Sequence, residues 1–428
     1  MLKKTFRNLL YQIPPVRRYV DQVRQTRASA EDLEKEIARL NEIINHSRSP
    51  ALFQSKDDLL TERLLAHPAI IPLPEVSISS SPAIDNSNRE IVAERLLDAY
   101  HKSLEDEHKS SLRREGEDVW TELIRNELPD LMAMVENRKA KELADYLMNF
   151  GQSFVWFGGI TTCLDGYNKN LDPKQVALTY LDKLICFSES IGLSRFESPE
   201  HGPWGNNLHE NLAELVDEIE KHLGISIAPP LGIIHTDGLQ INENLFHYRH
   251  INGLYCGTRI ADLRTDHGKV CEFGGGLGIT AMYARRLGVT DYTMLDLPIT
   301  CLLAGHYLLH AVGLDSVALY GETMREDVIK ILPFWECLNL PDKSYSLTIN
   351  QDSFPELAEN LITEYLNQIK RITTDRFLSI NHESFYPKTV ANFIKQNSGY
   401  QRLYRGKYWV REGYLEEVYD ISNGNEKV

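Results

Sequence analysis

Nothing in this 428-residue sequence is apolar for long enough to span a bilayer, which takes about 20 consecutive apolar residues in a helix. The opening "MLKKTFRNLLYQIPP" is broken by Asn8 and Gln12 and is not expected to act as a signal peptide. Cysteine is sparse and scattered. Cys163, Cys186, Cys256, Cys271, Cys301 and Cys337 form no CxxC pair and have no close histidine partner, which excludes a zinc ribbon and a secreted disulfide framework. Reduced thiols of this kind predict a cytoplasmic protein. Positive charge is also in deficit, with 46 Lys and Arg against 61 Asp and Glu and a net charge of -15. That balance excludes a general nucleic-acid binder, since phosphate backbones demand the opposite sign. No internal repeat is present.

The front of the chain runs against this balance. Lys3, Lys4, Arg7, Arg17, Arg18, Arg24 and Arg27 face the single acid Asp21, and Phe6, Leu9, Leu10 and Tyr11 lie among them. Such a segment suits the anionic inner face of a membrane as a peripheral contact. Behind it, Tyr19, Val23, Thr26, Ala30, Leu33, Ile37, Leu40 and Ile44 follow one another in steps of four and three. This heptad seam predicts a parallel coiled coil and hence a homo-oligomer. Residues 1–46 are therefore read as a basic N-terminus with a coiled-coil helix. Residues 47–88, rich in Pro and Ser, are read as a linker or strap.

Residues 89–255 show helical periodicity in "IVAERLLDAYHKSL", "AKELADYLMNF" and "LHENLAELVDEIEKHLG", with apolar residues at i, i+3, i+4 and i+7. They are read as a helical domain whose loops, including "SPEHGPWGNN", cover a site and place Trp204 against a sugar face. Residues 256–428 alternate strand and helix through "GKVCEFG", "YTMLDL", "SVALYG", "YSLTIN" and "RFLSIN". Two further strands, "YQRLYRGKYWV" and "GYLEEVYDIS", close as a hairpin. The expectation is an α/β, Rossmann-like sheet of seven strands in the class I methyltransferase arrangement.

"VCEFGGGLGIT" carries the chemistry. A strand that turns into a helix through Gly274, Gly275, Gly276 and Gly278 lets backbone approach a ligand closely and offers it a helix N-terminus. Read as Gly276-x-Gly278-x-x-Ala281, the loop also fits a dinucleotide fingerprint, so the glycines alone leave a nicotinamide-dependent oxidoreductase open. Glu272 separates the two. A carboxylate before the first glycine suits a cationic amino-acid end and repels a pyrophosphate. Asp296, ending the next strand with Leu297 after it, is placed to accept ribose hydroxyls. A third reading keeps the fold without the catalysis, as a scaffold hung on the coiled coil.

Three blocks, "VCEFGGGLGIT", "YTMLDLP" and "INQDSFPEL", resemble those of the sugar O-methyltransferase family, bacterial class I enzymes of polysaccharide and glycoside modification. The resemblance covers Leu231 to Ser379, and Leu357 departs from the Met usual there. It implies S-adenosyl-L-methionine as methyl donor and a sugar or glycan hydroxyl as acceptor. Beyond the strand ends lie Asn350, Gln351 and Asp352, then Asn381, His382 and Glu383. Asn350 and Gln351 are expected at the donor. His382 is the first candidate for the base that takes the hydroxyl proton, with Asp352 second. Asp352, His382 and Glu383 also offer an oxygen-and-imidazole set for Mg. Upstream, Tyr248 and Arg249 are candidates for the donor carboxylate or the acceptor, with Glu383 a further acceptor contact.

Overall fold

The computed structural model describes residues 76–79, 88–112, 128–148, 183–196, 212–227, 233–236, 239–241, 246–411 and 413–421. Residues 1–46, expected as a coiled coil, most of the expected strap and Trp204 lie outside the described residues.

The strands are β1 (Val76–Ser79), β2 (Ile233–Thr236), β3 (Leu239–Ile241), β4 (Val270–Phe273), β5 (Tyr292–Asp296), β6 (Val317–Leu319), β7 (Ile329–Pro333), β8 (Tyr345–Gln351), β9 (Thr373–His382), β10 (Gln401–Lys407) and β11 (Tyr414–Asp420). The helices used below are α1 (Arg89–Glu107), α2 (Pro129–Glu136), α3 (Ala140–Met148), α4 (Leu212–Leu223), α5 (Phe246–Leu263), α6 (Ile279–Arg286), α7 (Pro298–Val312), α8 (Glu359–Ile372) and α9 (Val390–Lys395).

The main sheet runs β10-β11-β9-β8-β4-β5-β7-β6. Its strands from β6 to β9 pair in parallel, while β11 is antiparallel to both β9 and β10. The sheet has eight strands, which corrects the expected seven. "SVALYG" is indeed a strand, but it lies at the edge. The place beside β5 belongs to β7, "IKILP", whose apolar run Lys330 interrupts and whose end Pro333 truncates. Lys330 is accommodated because its ammonium meets Asp291 at 2.6 Å. A smaller antiparallel sheet joins β1 to β2 and β2 to β3.

The chain starts in the middle at β4, builds outward through β5, then crosses back to β8 and β9 on the other side. Strand order therefore reverses between β4 and β8. In an open α/β sheet, that reversal opens a crevice beyond the carboxyl ends of the strands.

Layering follows from which helices are apolar all round. α7 is buried along nearly its whole length, Pro298 through Leu309, because it lies between the sheet and α1. A Cβ on Gly305 would stand 2.6 Å from Leu96 Cδ2, so glycine there sets the α1–α7 spacing. Arg95 of α1 then clamps the edge, donating from Nε and Nη2 to Glu322 at 2.7 and 2.9 Å and to the Val317 carbonyl at 3.2 Å. On the opposite face α8 buries Leu361, Ile362, Tyr365, Leu366, Ile369 and Ile372 in one cluster with Phe273, Phe354 and Phe377. Among the described residues no helix is long and apolar enough to cross a membrane.

Candidate active site

A cleft opens where the strand order reverses. It is lined by the glycine loop, Glu272, Asp296, Leu297, Gln351, Asp352, Glu356, Leu357, Tyr365, Asn252 and Arg411, among others. Its floor is the turn from β4 into α6. Gly274 has φ +77°, a left-handed conformation that side chains resist, and a Cβ there would fall 2.2 Å from Ser353 Oγ. A Cβ on Gly275 would fall 2.3 Å from Met294 Cγ and 2.8 Å from Glu272 Oε2. The loop can therefore fold down onto Glu272 only without side chains. Gly278, at φ +84°, caps the start of α6 and packs over Leu308; it does not line the cleft.

Two carboxylates flank this floor. Glu272 is 1% exposed, and Tyr292 donates its hydroxyl to Oε2 at 2.8 Å. Burial pushes its carboxyl up to about 7, against the lowering by Tyr292. Asp296 ends β5. Its Oδ2 accepts from the Gly276 N–H at 2.8 Å and its Oδ1 from the Leu297 N–H at 2.7 Å. Burial pushes it to about 6, with these N–H bonds and the Thr300 hydroxyl opposing. Two buried acids held this far above their ordinary range favour a ligand that brings positive charge and hydroxyl donors.

Helix α5 forms the roof. It approaches α6 closely because Gly253 and Gly257 face it: a Cβ on Gly253 would stand 2.6 Å from Ile279 Cγ2, and one on Gly257 3.1 Å from Tyr283 Cβ. This brings Asn252 and Cys256 to the site. Gln351 Oε1 accepts from Cys256 Sγ at 3.2 Å and Thr280 Oγ1 at 3.3 Å, while Asn252 Oδ1 accepts from Tyr408 at 2.6 Å. Asn252 and Gln351 both line the cleft, and with the oxygens engaged their amide N–H groups remain as hydrogen-bond donors. Tyr255 and Arg259 of α5 are fastened to Glu416 of β11 at 2.7 and 2.8 Å.

Across the cleft, Asp352, Glu356 and His382 bring one ligand atom each within 4.8 Å of one another. Asp352 sits at φ +57° directly after β8. Its Oδ1 accepts from Tyr414 at 2.5 Å and its Oδ2 from Arg411, whose guanidinium lies 3.9 Å over the Tyr414 ring. His382 is packed edge-on against Phe385 at 5.1 Å and Tyr414 at 5.5 Å. Its pKa is lowered by burial, with Asp352 opposing and Arg411 adding to the effect. Burial thus favours the neutral ring.

The structure brings together Glu272, Gly274, Gly275, Gly276, Asp296, Leu297, Gln351 and Asp352 around one cleft, with His382 at its edge. Asn350 is placed elsewhere. It is fully buried and braces two loops, donating to the Phe273 carbonyl at 2.7 Å and Ser353 Oγ at 2.6 Å while accepting from Asn381 at 2.9 Å. Glu383 turns away to Arg405 of β10, two bonds of 3.0 Å, so Glu356 rather than Glu383 joins Asp352 and His382. Tyr248 and Arg249 fall in the first turns of α5, whose side chains through His250 lie outside the described residues. Asn252, Glu356 and Arg411 are among the polar cleft residues that the sequence did not single out. Glu356 stood inside "SFPEL", and Asn252 beside the Gly253/Gly257 pair. Arg411 left no signal, because it reaches the cleft only through the closing hairpin.

No protein-family model and no curated protein matches the sequence. Solved structures do resemble it. They include a SAM-dependent methyltransferase from Aquifex aeolicus, 15% identical at a TM-score of 0.30 and covering 40% of this chain and 91% of that one. A ribosomal protein L11 methylase from Lactobacillus delbrueckii subsp. bulgaricus is 14% identical at a TM-score of 0.29, covering 40% and 78%. The geranyl diphosphate C-methyltransferase of Streptomyces coelicolor A3(2), in complex with Mg2+, geranyl diphosphate and S-adenosyl-L-homocysteine, is 9% identical at a TM-score of 0.30, covering 39% and 78%.

Proposed function

We propose that this protein is an S-adenosyl-L-methionine-dependent O-methyltransferase whose acceptor is a hydroxyl of a sugar or glycoside, in polysaccharide or glycoside biosynthesis. The observation that carries the donor is the pair of buried carboxylates on either side of a side-chain-free loop, at the point where strand order reverses. The residues fit the group. Asp296 would accept the ribose hydroxyls, the wall of Leu297, Leu357 and Tyr365 would take the adenine, and Glu272 would face the cationic amino-acid end. Asn252 and Gln351 supply donors for its carboxylate. When bound, the donor supplies an electrophilic methyl group on a sulfonium, and displacement at that carbon needs alignment more than covalent help from the protein.

Two features support a sugar acceptor: the resemblance in "YTMLDLP" and "INQDSFPEL", and the exposed aromatic rings of Phe385 and Tyr386 beside His382, 51% and 76% exposed. Flat rings at the mouth of a polar cleft stack against the C–H face of a pyranose. Titration calorimetry with S-adenosylhomocysteine and with NAD tests the donor. The homocysteine product binds and NAD does not; binding of NAD alone would falsify the reading. Transfer of labelled methyl to a panel of methyl glycosides then tests the acceptor, and tight product binding with no turnover on any glycan would favour a scaffold.

A further inference from the structure

Asp352, Glu356 and His382 have the composition of a divalent-cation site, and their ligand atoms are close enough for one. Hydrogen bonding around them argues otherwise. The Ser384 N–H donates to His382 Nδ1 at 3.3 Å. A neutral imidazole has one N–H and one lone pair; with the lone pair of Nδ1 turned to an amide, the proton sits on Nε2. A metal-bound histidine shows the opposite polarity, its second nitrogen donating outward. Asp352, for its part, already holds a guanidinium and a phenol. Arg411 occupies the position a cation would take against that carboxylate.

With Nδ1 turned to the Ser384 amide, an Nε2–H directed toward the two carboxylates would be complementary to a group that both accepts and donates. We infer that this cluster grips the acceptor hydroxyl itself, with His382 Nε2–H donating to the hydroxyl oxygen and the Glu356 carboxylate receiving its proton. Asp352, fixed by Arg411 and Tyr414, is the support of the cluster. The inference rests on the methyltransferase reading above. As the hydroxyl oxygen forms its bond to the methyl carbon, the methyl–sulfur bond breaks and its electron pair stays on sulfur as a thioether. The hydroxyl proton passes to Glu356, which releases it to solvent afterwards. Charge and atoms balance with no metal. His382 thereby becomes a hydrogen-bond donor to the substrate, and the proton acceptor lies in "SFPEL".

Selective 15N-histidine NMR of the full chain, with His382→Gln to assign the resonance, reads the tautomer directly. The inference expects a neutral ring protonated at Nε2. A ring protonated at Nδ1 overturns it. Electron paramagnetic resonance of Mn2+ added alone expects no site that Glu356→Gln removes; one bound ion lost in that variant overturns the inference in favour of a cation site. With any methyl glycoside that is turned over, Glu356→Gln lowers kcat by about a hundredfold or more while homocysteine-product affinity is retained, which also reports a folded cleft. Equal turnover in the variant overturns the assignment. Loss of product binding in the wild-type chain would instead sink the functional reading, and the resonance experiments remain readable without it.

Discussion

Glu272 is costly to the empty protein. Its folded carboxyl lies near 7, whereas the ordinary value is 4.5, so between those values the folded state holds a proton that the unfolded chain has released. Its own contribution to stability is therefore greatest below about 4.5, falls as pH rises to about 7, and stays lowered above, a loss of order 3 kcal/mol. Glu272→Gln keeps an oxygen for the Tyr292 hydroxyl and removes the charge. At pH 8 the variant should melt higher than wild type by differential scanning fluorimetry, while calorimetry shows its affinity for S-adenosylhomocysteine reduced by about 10- to 100-fold. A lower melting temperature with intact affinity would show that Glu272 is purely structural. Binding should also release protons in wild type near pH 6.5, because a cation favours the ionised carboxyl. Matched titrations in buffers of different ionisation enthalpy measure that release, and Glu272→Gln should diminish it. Residues of this kind were legible: Glu272, Asp296 and the glycines announced themselves by type and spacing. Asn350 shows the limit, since the same amide at a strand end either meets ligand or braces loops, and only packing decides which.

At the scale of elements, α5 and the β10–β11 hairpin position the residues that wall the cleft. α5 reads as an ordinary amphipathic stretch, yet its spacing to α6 is set by Gly253 and Gly257, four residues apart on one face. Gly253→Ala would push α5 from Ile279, and overpacking of this kind costs about 1–3 kcal/mol. Because Asn252 and Cys256 ride on the same helix, product affinity should fall with stability in chemical denaturation and calorimetry run side by side. Gly192, where an added Cβ meets nothing within 4 Å but φ is +74°, provides the contrast: its alanine variant should lose stability and leave affinity alone. The strand missed in sequence, Ile329–Pro333, was hidden for a related reason. Its alternation is spoiled by Lys330, whose partner Asp291 is distant in sequence and visible only once the strands are paired. The hairpin, by contrast, was readable from two β-rich runs with a short connection, although nothing in them said that Arg411 and Tyr414 would reach Asp352.

For the whole molecule, the order of strands explains why chemistry sits far along the chain. The reversal between β4 and β8 places the crevice far along the chain, and among the described residues the cleft lining begins at Asn252. Of the described residues that come earlier, α1 packs against the sheet layer. α1 covers α7, and Arg95 ties it to the edge strand. This separation predicts how the chain divides. The seam through Val23, Ala30, Ile37 and Ile44 at one heptad position, with Leu33 and Leu40 at another, gives an apolar stripe suited to a parallel partner helix. Such a pair would double any attachment of the basic segment ahead of it. A cut before Ser47 spares α1 and every described residue of the cleft. Size-exclusion chromatography with light scattering should show the full chain as an oligomer and the cut chain at monomer mass, with calorimetry returning the same affinity for S-adenosylhomocysteine in both. An unchanged mass would sink the coiled-coil dimer. Weakened affinity in the cut chain would mean that residues before Ser47 contribute to donor binding.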